Sequence, residues 1–583
     1  MLCSLPVAWF LLLPKDFIDF GQSIAAVSIF SSNVLFWAES GYFEAASELK
    51  PLLHTWSLGV EEQYYLVFPL FLMVVWRYAR KHLLGVLILL AILSLAIAQW
   101  GVFYKPEAAF FLLPMRGWEL AIGAIVAVFC SDNKPQFISI TSNKTANDFL
   151  GLAGLILILF SIFYFDQTTP FPGFNAFIPT IGTALIILFA RSETLVGKML
   201  SIKPIVGVGL ISYSVYLWHQ PIFVFARHGS IVDLSLNTSF ALIIISLVSG
   251  YLSWKFVENP FRHKGVITKR QIYCFSLLGS VFFILIGLTI VAGNGFKHRF
   301  NIPNTISDSF ARSDKFAACF DKKGVHEIDD WFCLIGKKDS EKPSFFVFGD
   351  SHAYMLVDVF DKVANELGVS GGYAGVSGCI PFLGVHSLRK DQNIKNCHEL
   401  NKRVYKFIAE NKIKTIFLAA RWSYYTDGSY SGNDFSYIGL EKYSRKNKKQ
   451  SRLAFEHGLE ETFVSYQKLG VKIVVLEQVP QQMLLPEKAY SFIYNNNDYS
   501  DEYMREMSVS IVKHRALQRF SMDVFSKYAD ISKLGFEDIL CDDDKCLLGN
   551  QQYSFYFDDD HLSLIGASLL ENKFRDALSG ASN

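Results

Sequence analysis

Two short strings in the second half of the chain hold residue types that together can perform nucleophilic catalysis. GDSH stands at 349–352, and DDDH stands at 558–561 near the C-terminus. A serine hydroxyl is a weak nucleophile until a base takes its proton, and that base needs a third group to orient it. The sequence therefore predicts Ser351 as nucleophile and His561 as general base. Asp558, three residues before the histidine, is predicted to orient its ring.

Each string also has a purely structural interpretation. GDSH is compatible with a turn whose serine caps a helix, and DDDH is compatible with a solvated acidic loop or a Ca²⁺ ligand cluster. Asp559 and Asp560 stay open as alternatives to Asp558 for the orienting acid. The order of the two strings on an α/β pattern favours catalysis.

The elements around the serine predict how it is positioned. A short apolar run at 345–348 precedes GDSH, and a helix-compatible stretch follows at 353–367. Further buried strands are predicted at 414–420 and 471–477, with helical segments between them. This alternation indicates an α/β layer with a largely parallel sheet. Functional side chains of such sheets lie at the carboxyl ends of the strands, where Ser351 stands.

The first half is a membrane sequence, because it holds almost all the long apolar runs of a chain of 583 residues with mean hydropathy +0.25. A span needs about 20 apolar residues. Predicted spans are 64–77, 83–99, 109–129, 149–165, 175–190, 205–226, 238–257 and 272–293. The segment 21–37 suits a re-entrant or interfacial position. Residues 1–13 read as the second half of a membrane helix, so a truncated N-terminus is expected. The predicted domains are 1–262, 263–300 and 301–583.

Basic residues in the loops predict the orientation. If the loops after 64–77, 109–129, 175–190 and 238–257 are cytoplasmic, they hold Arg77, Arg80, Lys81, Lys134, Lys144, Arg191, Lys198, Lys203, Lys255, Arg262, Lys264, Lys269 and Arg270. The opposite loops hold Lys15, Lys50, Lys105 and Arg227. This bias predicts that everything after residue 293 lies outside the cytoplasm.

Cysteine usage agrees with that placement, because an even number of cysteines in the second half suits an oxidising compartment. Sequence proximity predicts the disulfides Cys319–Cys333, Cys379–Cys397 and Cys541–Cys546. Six unpaired buried thiols are the alternative. No paired Cys-x-x-Cys spacing indicates a metal, and no basic stripe indicates nucleic acid.

Polar residues inside spans are costly and therefore functional candidates. Arg116 and Glu119 stand three residues apart on one helix, where an internal salt bridge is the alternative. A second group of candidates stands just before the predicted span 64–77: His54, Glu61 and Glu62. A third candidate is His219, which follows a tryptophan; the alternative is that this histidine is only an interfacial anchor.

GDSH after a strand, with a late DxxH, resembles the SGNH (GDSL-like) hydrolase family over roughly 340–583. The resemblance implies a flavodoxin-like three-layer α/β fold and the Ser351, His561 and Asp558 roles given above. It also implies an oxyanion hole with backbone donors from Ser351 and Gly378. The family's third donor is an asparagine; this sequence has Arg421 there, a weaker candidate.

The strings around His54, Arg116 and His219, with Glu258-Asn259-Pro260, resemble the acyltransferase-3 family of membrane O-acyltransferases over 1–262. The fusion to an SGNH domain resembles bacterial enzymes that O-acetylate surface polysaccharides. The resemblance implies a multi-pass inner-membrane enzyme with acetyl-CoA as acyl donor, no permanently bound cofactor and a periplasmic C-terminal domain. Its acceptor would be a polysaccharide such as lipid-linked lipopolysaccharide O-antigen. By this resemblance, we expect that the given sequence lacks the family's first helices, with its proposed catalytic histidine.

Three other functions compete with acyl transfer. The same triad could hydrolyse acetyl esters of polysaccharide or peptidoglycan, because water and a sugar hydroxyl attack the same acyl-serine. The chain could be an inactive truncated remnant. It could also be a transporter with a soluble binding domain, although residues 1–294 show no obvious internal repeat.

Overall fold

The computed structural model describes residues 1–39, 49–131, 143–166, 169–230, 234–262, 268–300, 302–311, 314–337, 342–389, 396–430, 434–495 and 500–580. Within these ranges the chain forms two compact units, Met1–Lys297 and His298–Asn583.

The described residues of the first unit form helices joined by turns and loops. Its α-helices are Ser4–Leu11, Pro14–Ser28, Ser32–Ala38, Trp56–Ala79, Leu83–Tyr104, Pro106–Phe111, Leu113–Ser131, Lys144–Tyr164, Gly173–Phe189, Leu195–Leu200, Lys203–His228, Leu236–Ser253, Asn259–Arg262 and Lys269–Ala292. The 3₁₀ turn Leu53–Thr55 leads into the fourth of these, and the π-helical turn Trp254–Glu258 precedes Asn259–Arg262.

Five helical stretches in the described residues are long and apolar enough to cross a membrane: Leu53–Tyr104, Pro106–Cys130, Lys144–Tyr164, Leu236–Arg262 and Lys269–Ala292. Together with the shorter apolar helix Gly173–Phe189, they cover every predicted span except 205–226. That segment forms the helix Lys203–His228, whose middle carries polar side chains. The prediction of a multi-pass helical membrane domain is confirmed. Lys134 and Lys264, counted in the orientation argument, lie outside the described residues.

Segment 21–37 is divided between two helices. Pro14–Ser28 ends before Phe30, which has a positive φ, and the short helix Ser32–Ala38 follows. Ser32 and Asn33 are buried there, and the Asn33 amide donates to the Phe111 carbonyl at 3.1 Å. The polar content that set this segment apart in the sequence is thus used for contacts within the unit.

Small residues let helices of the first unit approach closely. Lys144–Tyr164 packs against Gly173–Phe189 through Gly154 and Gly182. A Cβ at Gly154 would lie 2.7 Å from the Gly182 carbonyl oxygen, and one at Gly182 would lie 2.8 Å from that of Gly154. Glycine at such crossings is typical of membrane helices, since van der Waals packing drives their association.

The second unit is built on a six-stranded sheet. Its strands are β1 (Cys333–Gly336), β2 (Phe345–Gly349), β3 (Ser370–Gly375), β5 (Thr415–Ala419), β7 (Lys472–Leu476) and β9 (Ser532–Leu534), in the order β1-β3-β2-β5-β7-β9. Only the edge strand β1 is antiparallel to its neighbour. The five parallel strands have the flavodoxin-like order 2-1-3-4-5, whose ligand crevice lies at the carboxyl ends of the first and third strands. Here those are β2 and β5.

The central strands β2 and β5 are fully buried and mostly apolar, because both faces of the sheet are covered there. Side chains alternate between the faces. Along β2, Phe346 and Phe348 enter one core, while Phe345 and Val347 enter the other. Helices flank both faces, which gives three layers and confirms the predicted fold class.

The helices of the second unit are Asn304–Ser309, Ser351–Tyr354, Val357–Leu367, Cys397–Asn411, Trp422–Thr426, Lys448–Lys468, Pro486–Asn495, Asp501–Met507, Ile511–Phe525, Glu537–Leu540, Leu564–Ser568 and Glu571–Ser579. Two small antiparallel ribbons join β4 (His386–Ser387) to β6 (Ile438–Gly439), and β8 (Val509–Ser510) to β10 (Lys545–Cys546). The structure contains the disulfides Cys319–Cys333, Cys379–Cys397 and Cys541–Cys546.

Candidate active site

Ser351 begins a short helix immediately after β2, at the carboxyl edge of the sheet. The strand ends at Gly349, which is in register with Gly375 of β3 and Ala419 of β5. A side chain at Gly349 would collide with the Ala419 carbonyl oxygen, so only glycine allows β2 and β5 to meet here. Ser351 is therefore fixed at the end of the central pair of strands, and it is buried.

Asp350 joins the serine turn to the end of β5. Its buried carboxylate caps the short helix by accepting the His352 backbone N–H at 2.9 Å. The other oxygen accepts the Arg421 backbone N–H at 3.1 Å and the Tyr425 hydroxyl at 2.9 Å. One side chain thus determines how the turn after β2 sits against the turn after β5.

Gly378, the predicted second oxyanion donor, lies in the loop after β3. Its φ of +61° is in the left-handed region that favours glycine. The loop is held by Asp321, whose carboxylate accepts the Ser377 backbone N–H at 3.0 Å and hydroxyl at 2.8 Å. The disulfide Cys379–Cys397 ties the loop to the next helix. The loop is thus constrained on both sides of Gly378.

His561 lies in a tight loop between the paired residues Tyr556 and Leu562. Its Nδ1 lies 3.0 and 2.9 Å from the two carboxylate oxygens of Asp558. Nδ1 also lies 2.8 Å from Asp560 Oδ1. The structure thus brings together the predicted base and the predicted acid, and it adds a second carboxylate on the same nitrogen.

The three adjacent aspartates have different environments. The side chain of Asp558 is 26% exposed and that of Asp560 is 6% exposed. Asp558 Oδ1 also accepts the backbone N–H groups of Asp560 at 3.0 Å and His561 at 2.7 Å. Asp559 faces the loop after β7, where it accepts the Gln481 side-chain amide at 2.9 Å. Asp559 therefore anchors the loop and does not contact the base in the described hydrogen bonds and ion pairs.

Proton affinities follow from these contacts. Burial lowers the pKa of His561, but the charges of Asp558 and Asp560 outweigh it and hold that pKa well above its usual value. Burial raises the pKa of Asp560, yet His561 and Arg421 hold it well below its usual range. Burial, with Asp560 and Asp558 nearby, raises the pKa of Asp559 to about 7.

Arg421, predicted as a weak third oxyanion donor, is buried and engaged in ion pairs. Its Nη1 lies 2.9 Å from Asp560 Oδ2 and 2.6 Å from Asp434 Oδ2. The donor role therefore stays a prediction, and the observed contact is with an aspartate beside the base. His352 is also buried, with Nε2 3.6 Å from Asp560 Oδ2. The sequence predicts no role for His352, and it leaves Asp560 open as an alternative to Asp558 for the orienting acid.

Two groups of potential metal-ligand atoms occur at this place in the described residues: those of His352, Asp560 and His561, and those of Asp558, Asp559 and Asp560. Asp560 belongs to both, and its negative charge already faces the Arg421 guanidinium. A divalent cation there would be repelled by that positive charge at close range. The donor set therefore suits an ion-paired acid–base centre better than a metal centre.

In the first unit, the structure brings His54 and His219 together. Their ring centres are 5.5 Å apart, and Tyr216 packs against both rings. The Tyr216 hydroxyl donates to the His54 carbonyl and lies 2.6 Å from Ser57 Oγ. His219 Nδ1 contacts the Tyr216 carbonyl at 2.7 Å. Two strings that are distant in the sequence thus form one polar cluster.

The other candidates of the first unit lie in several environments. Arg116 Nη1 is 3.2 Å from Glu119 Oε1, the internal salt bridge considered as the alternative. The same guanidinium stacks over the rings of Trp56, Phe110 and Phe171. Glu61 accepts the Tyr65 hydroxyl, while Glu62 is exposed. Functional roles for Arg116, Glu119, His54, Glu61, Glu62 and His219 stay predictions.

Glu258 connects two further strings of the resemblance. Its Oε2 accepts the Ser214 hydroxyl at 2.6 Å, and its Oε1 pairs with Arg262 Nη2 at 2.7 Å. Ser214 is buried in the helix Lys203–His228. The Glu258-Asn259-Pro260 string therefore packs its carboxylate against the helix that carries His219.

Comparison with known families assigns each unit. Residues 5–255 match the family described as "Acyltransferase domain", and residues 318–576 match "SGNH domain (fused to AT3 domains)". Among solved structures, the periplasmic domain of a Salmonella ser. Paratyphi A lipopolysaccharide acetyltransferase is 15% identical with a TM-score of 0.32, covering 41% of this chain and 85% of that one.

Relatives align over part of their length. YrhL of Bacillus subtilis is 26% identical over 58% of each chain. The peptidoglycan O-acetyltransferase OatA of Listeria monocytogenes is 26% identical over 42% of this chain and 41% of its own. The O-acetyltransferase OatA of Staphylococcus aureus is 25% identical over 46% of this chain and 45% of its own. The chain thus spans between two fifths and three fifths of the length of these relatives.

Proposed function

Because the chain carries an acyltransferase domain followed by an SGNH domain of the kind fused to such domains, we propose that it is a membrane O-acetyltransferase. It acylates hydroxyl groups of a polysaccharide outside the cytoplasm. The observation that carries the proposal is the juxtaposition of His561 Nδ1 with carboxylates at 2.8 to 3.0 Å, in the domain whose central strand β2 leads into the turn that carries Ser351.

Acyl transfer on this centre proceeds in two steps. Ser351 Oγ attacks the carbonyl carbon of the acyl donor while His561 takes the hydroxyl proton; the leaving group departs with that proton, and an acyl-serine remains. The acceptor hydroxyl then attacks the same carbon, and His561 takes its proton. As the bond from that carbon to Ser351 Oγ breaks, His561 returns the proton to Oγ, so Ser351 is regenerated and the new ester leaves. Backbone N–H groups of Ser351 and Gly378 are the donors for the developing oxyanion.

The acyl donor proposed for the first unit is cytoplasmic acetyl-CoA, from the resemblance to membrane O-acyltransferases. The His54–His219 cluster and the Arg116–Glu119 pair are the candidate residues for handling the acyl group there. Support for placing the SGNH domain outside the cytoplasm comes from the basic loop residues and from three disulfides, which persist in oxidising compartments.

The acceptor is a cell-surface glycan. The fusion of the two domains favours lipopolysaccharide O-antigen as the acceptor, by resemblance to enzymes of that architecture. The Listeria relative, however, is named a peptidoglycan O-acetyltransferase, and the Staphylococcus relative is named an O-acetyltransferase without an acceptor. The two acceptors are separable because they partition into different fractions of the cell envelope. Base-labile acetate is measured in purified lipopolysaccharide and in purified peptidoglycan from cells with and without the full chain.

The test compares wild type, Ser351→Ala and the control Ser568→Ala. Ser568 is exposed, and its hydroxyl donates to the Ile565 carbonyl in the same helix. Wild type and Ser568→Ala are expected to add ester-linked acetate to one of the two fractions, and Ser351→Ala is expected to add none. Wild-type levels of acetate with Ser351→Ala would contradict the proposal. A fall in ester acetate on expression of the wild type would instead indicate an esterase.

A further inference from the structure

His561 faces two carboxylates, and they are not equivalent. Asp558 is about a quarter exposed, and its Oδ1 also closes the loop by accepting two backbone N–H groups. Asp560 is almost fully buried, with Oδ1 2.8 Å from His561 Nδ1. An ion pair shielded from water is stronger than a solvated one at the same distance. The buried aspartate is therefore well placed to hold the ring.

The second oxygen of Asp560 connects the base to the rest of the site. Asp560 Oδ2 lies 2.9 Å from Arg421 Nη1 and 3.6 Å from His352 Nε2. Arg421 follows β5, and its backbone N–H is fixed by Asp350. The base, the serine turn and the end of β5 are thus linked through one carboxylate.

We propose that Asp560, held by the Arg421 guanidinium, is a second positioning residue for His561, so that the base is oriented by two acids. This inference rests on the proposed function, in which His561 activates Ser351. Arg421 accordingly acts on the base through Asp560 and need not donate to the oxyanion.

The proposal predicts opposite shifts in the pKa of His561 when the charge of Asp560 or of Arg421 is removed. In the described contacts, the charged and titratable groups at His561 are Asp558 and Asp560, which lie at its Nδ1, and His352, whose ring centre is 5.0 Å away. Arg421 pairs with Asp560, Asp434 pairs with Arg421, and Asp559 bonds to Gln481. Removal of the Asp560 charge destabilises the imidazolium, so the pKa of His561 falls. Removal of the Arg421 charge has the reverse effect.

The experiment follows sulfonylation of the full-length protein in membranes by phenylmethylsulfonyl fluoride across pH. In this reaction a bond forms between Ser351 Oγ and sulfur, fluoride leaves, and the hydroxyl proton passes to His561. Its rate therefore reports the neutral fraction of His561 without needing an acceptor glycan. Asp560→Asn is expected to lower the midpoint of the pH–rate curve by about one to three pH units. Arg421→Gln is expected to raise it, and Arg421→Lys to stay near wild type because the charge is kept.

Two controls assign the effect. Asp434→Asn removes a carboxylate that touches the same guanidinium but not His561 in the described contacts, so it should move the midpoint far less than Asp560→Asn. His352→Gln should keep the inflection, because the titrating group is His561. An unchanged midpoint in Asp560→Asn, a shift in the same direction with Arg421→Gln, or loss of the inflection in His352→Gln would each overturn the inference.

Failure of the proposed function gives a different result. If Ser351→Ala is sulfonylated as fast as wild type, Ser351 is not the activated nucleophile, and the proposed function fails with it. If labelling requires Ser351 but Asp560→Asn leaves the midpoint unchanged, only the role of Asp560 fails. If Arg421→Gln does not accumulate in membranes, the other two variants decide the question. The inference then requires a lowered midpoint in Asp560→Asn and a midpoint near wild type in Arg421→Lys.

Discussion

The Asp350 side chain links the serine turn to the end of β5 by hydrogen bonds. Its removal should cause one of the largest losses of stability among single substitutions in the second unit. The buried carboxylate accepts three hydrogen bonds, from the His352 and Arg421 backbone N–H groups and from the Tyr425 hydroxyl. Hydrogen bonds to a charged group contribute about 1.5 kcal/mol each at the low end of their range. We therefore expect Asp350→Ala, which removes all three, to destabilise this region by about 4.5 kcal/mol.

Tyr425→Phe is the matched control, because it removes one of the three bonds and keeps the ring. Its expected cost is about 1.5 kcal/mol, since only the hydroxyl contact with the carboxylate is lost. Each 1.36 kcal/mol is a factor of ten in an equilibrium constant. The opening equilibrium should therefore rise about tenfold for Tyr425→Phe and about two-thousandfold for Asp350→Ala.

Hydrogen–deuterium exchange of the full-length protein measures these openings locally, on peptides covering β2 (Phe345–Gly349) and β5 (Thr415–Ala419). Both strands should lose protection together in Asp350→Ala, because the side chain bonds across from one to the other. Equal effects of Asp350→Ala and Tyr425→Phe would refute the reasoning, as would loss of protection confined to β2.

Three further changes test other parts of the structure. Phe360→Ala should destabilise the second unit by about 3–5 kcal/mol, because the buried ring packs against Phe345, Phe417 and Phe574. Urea unfolding measures this loss of stability, and a loss smaller than that of a surface substitution would contradict the buried position of the ring. The pKa of Asp559 is raised to about 7, so the folded state binds this proton more tightly than the unfolded state, and the resulting stability is lost as pH rises from about 4 through 7. Asp559→Asn should therefore gain more thermal stability relative to wild type at pH 8 than at pH 5, and an equal difference at the two pH values would contradict this. Gly154→Ala should lower the thermal stability of the first unit in detergent, because the added Cβ meets the Gly182 carbonyl oxygen. Gly123→Ala should not, because the space around Gly123 is open, and similar stability of the two variants would argue against the close contact of the helices Lys144–Tyr164 and Gly173–Phe189.

Much of the second unit could be predicted because its decisive signals are local. The runs at 345–348, 414–420 and 471–477 are apolar on both faces, which only central strands of a covered sheet require, and the structure has strands there. The sequence pattern does not predict the edge strands Cys333–Gly336 and Ser532–Leu534, which are short and only partly buried. Nor does it predict the buried strand Ser370–Gly375, in which three of six residues are glycine. Their formation depends on neighbours that a local pattern does not contain.

The candidate site also has residues that the sequence predicts and contacts that only the structure reveals. Ser351, Asp558 and His561 stand in strings whose spacing carries the chemistry, so their sequence positions suffice to nominate them. The contact between Arg421 and Asp560 joins residues that are far apart in the chain and becomes visible only when the turns after β2 and β5 meet. The pairing of His54 with His219 depends in the same way on the packing of two separate helices.

The bond between Cys379 and Cys397 has a consequence for when the site exists at all. The loop that carries Gly378 is closed by this covalent link on one side and by Asp321 on the other. A newly made chain whose thiols are still reduced has the complete amino-acid sequence of the site, but lacks the link that fixes one wall of it. Folding of the second unit to this arrangement is therefore coupled to an oxidation, because the two thiols must lose electrons and protons before the link exists.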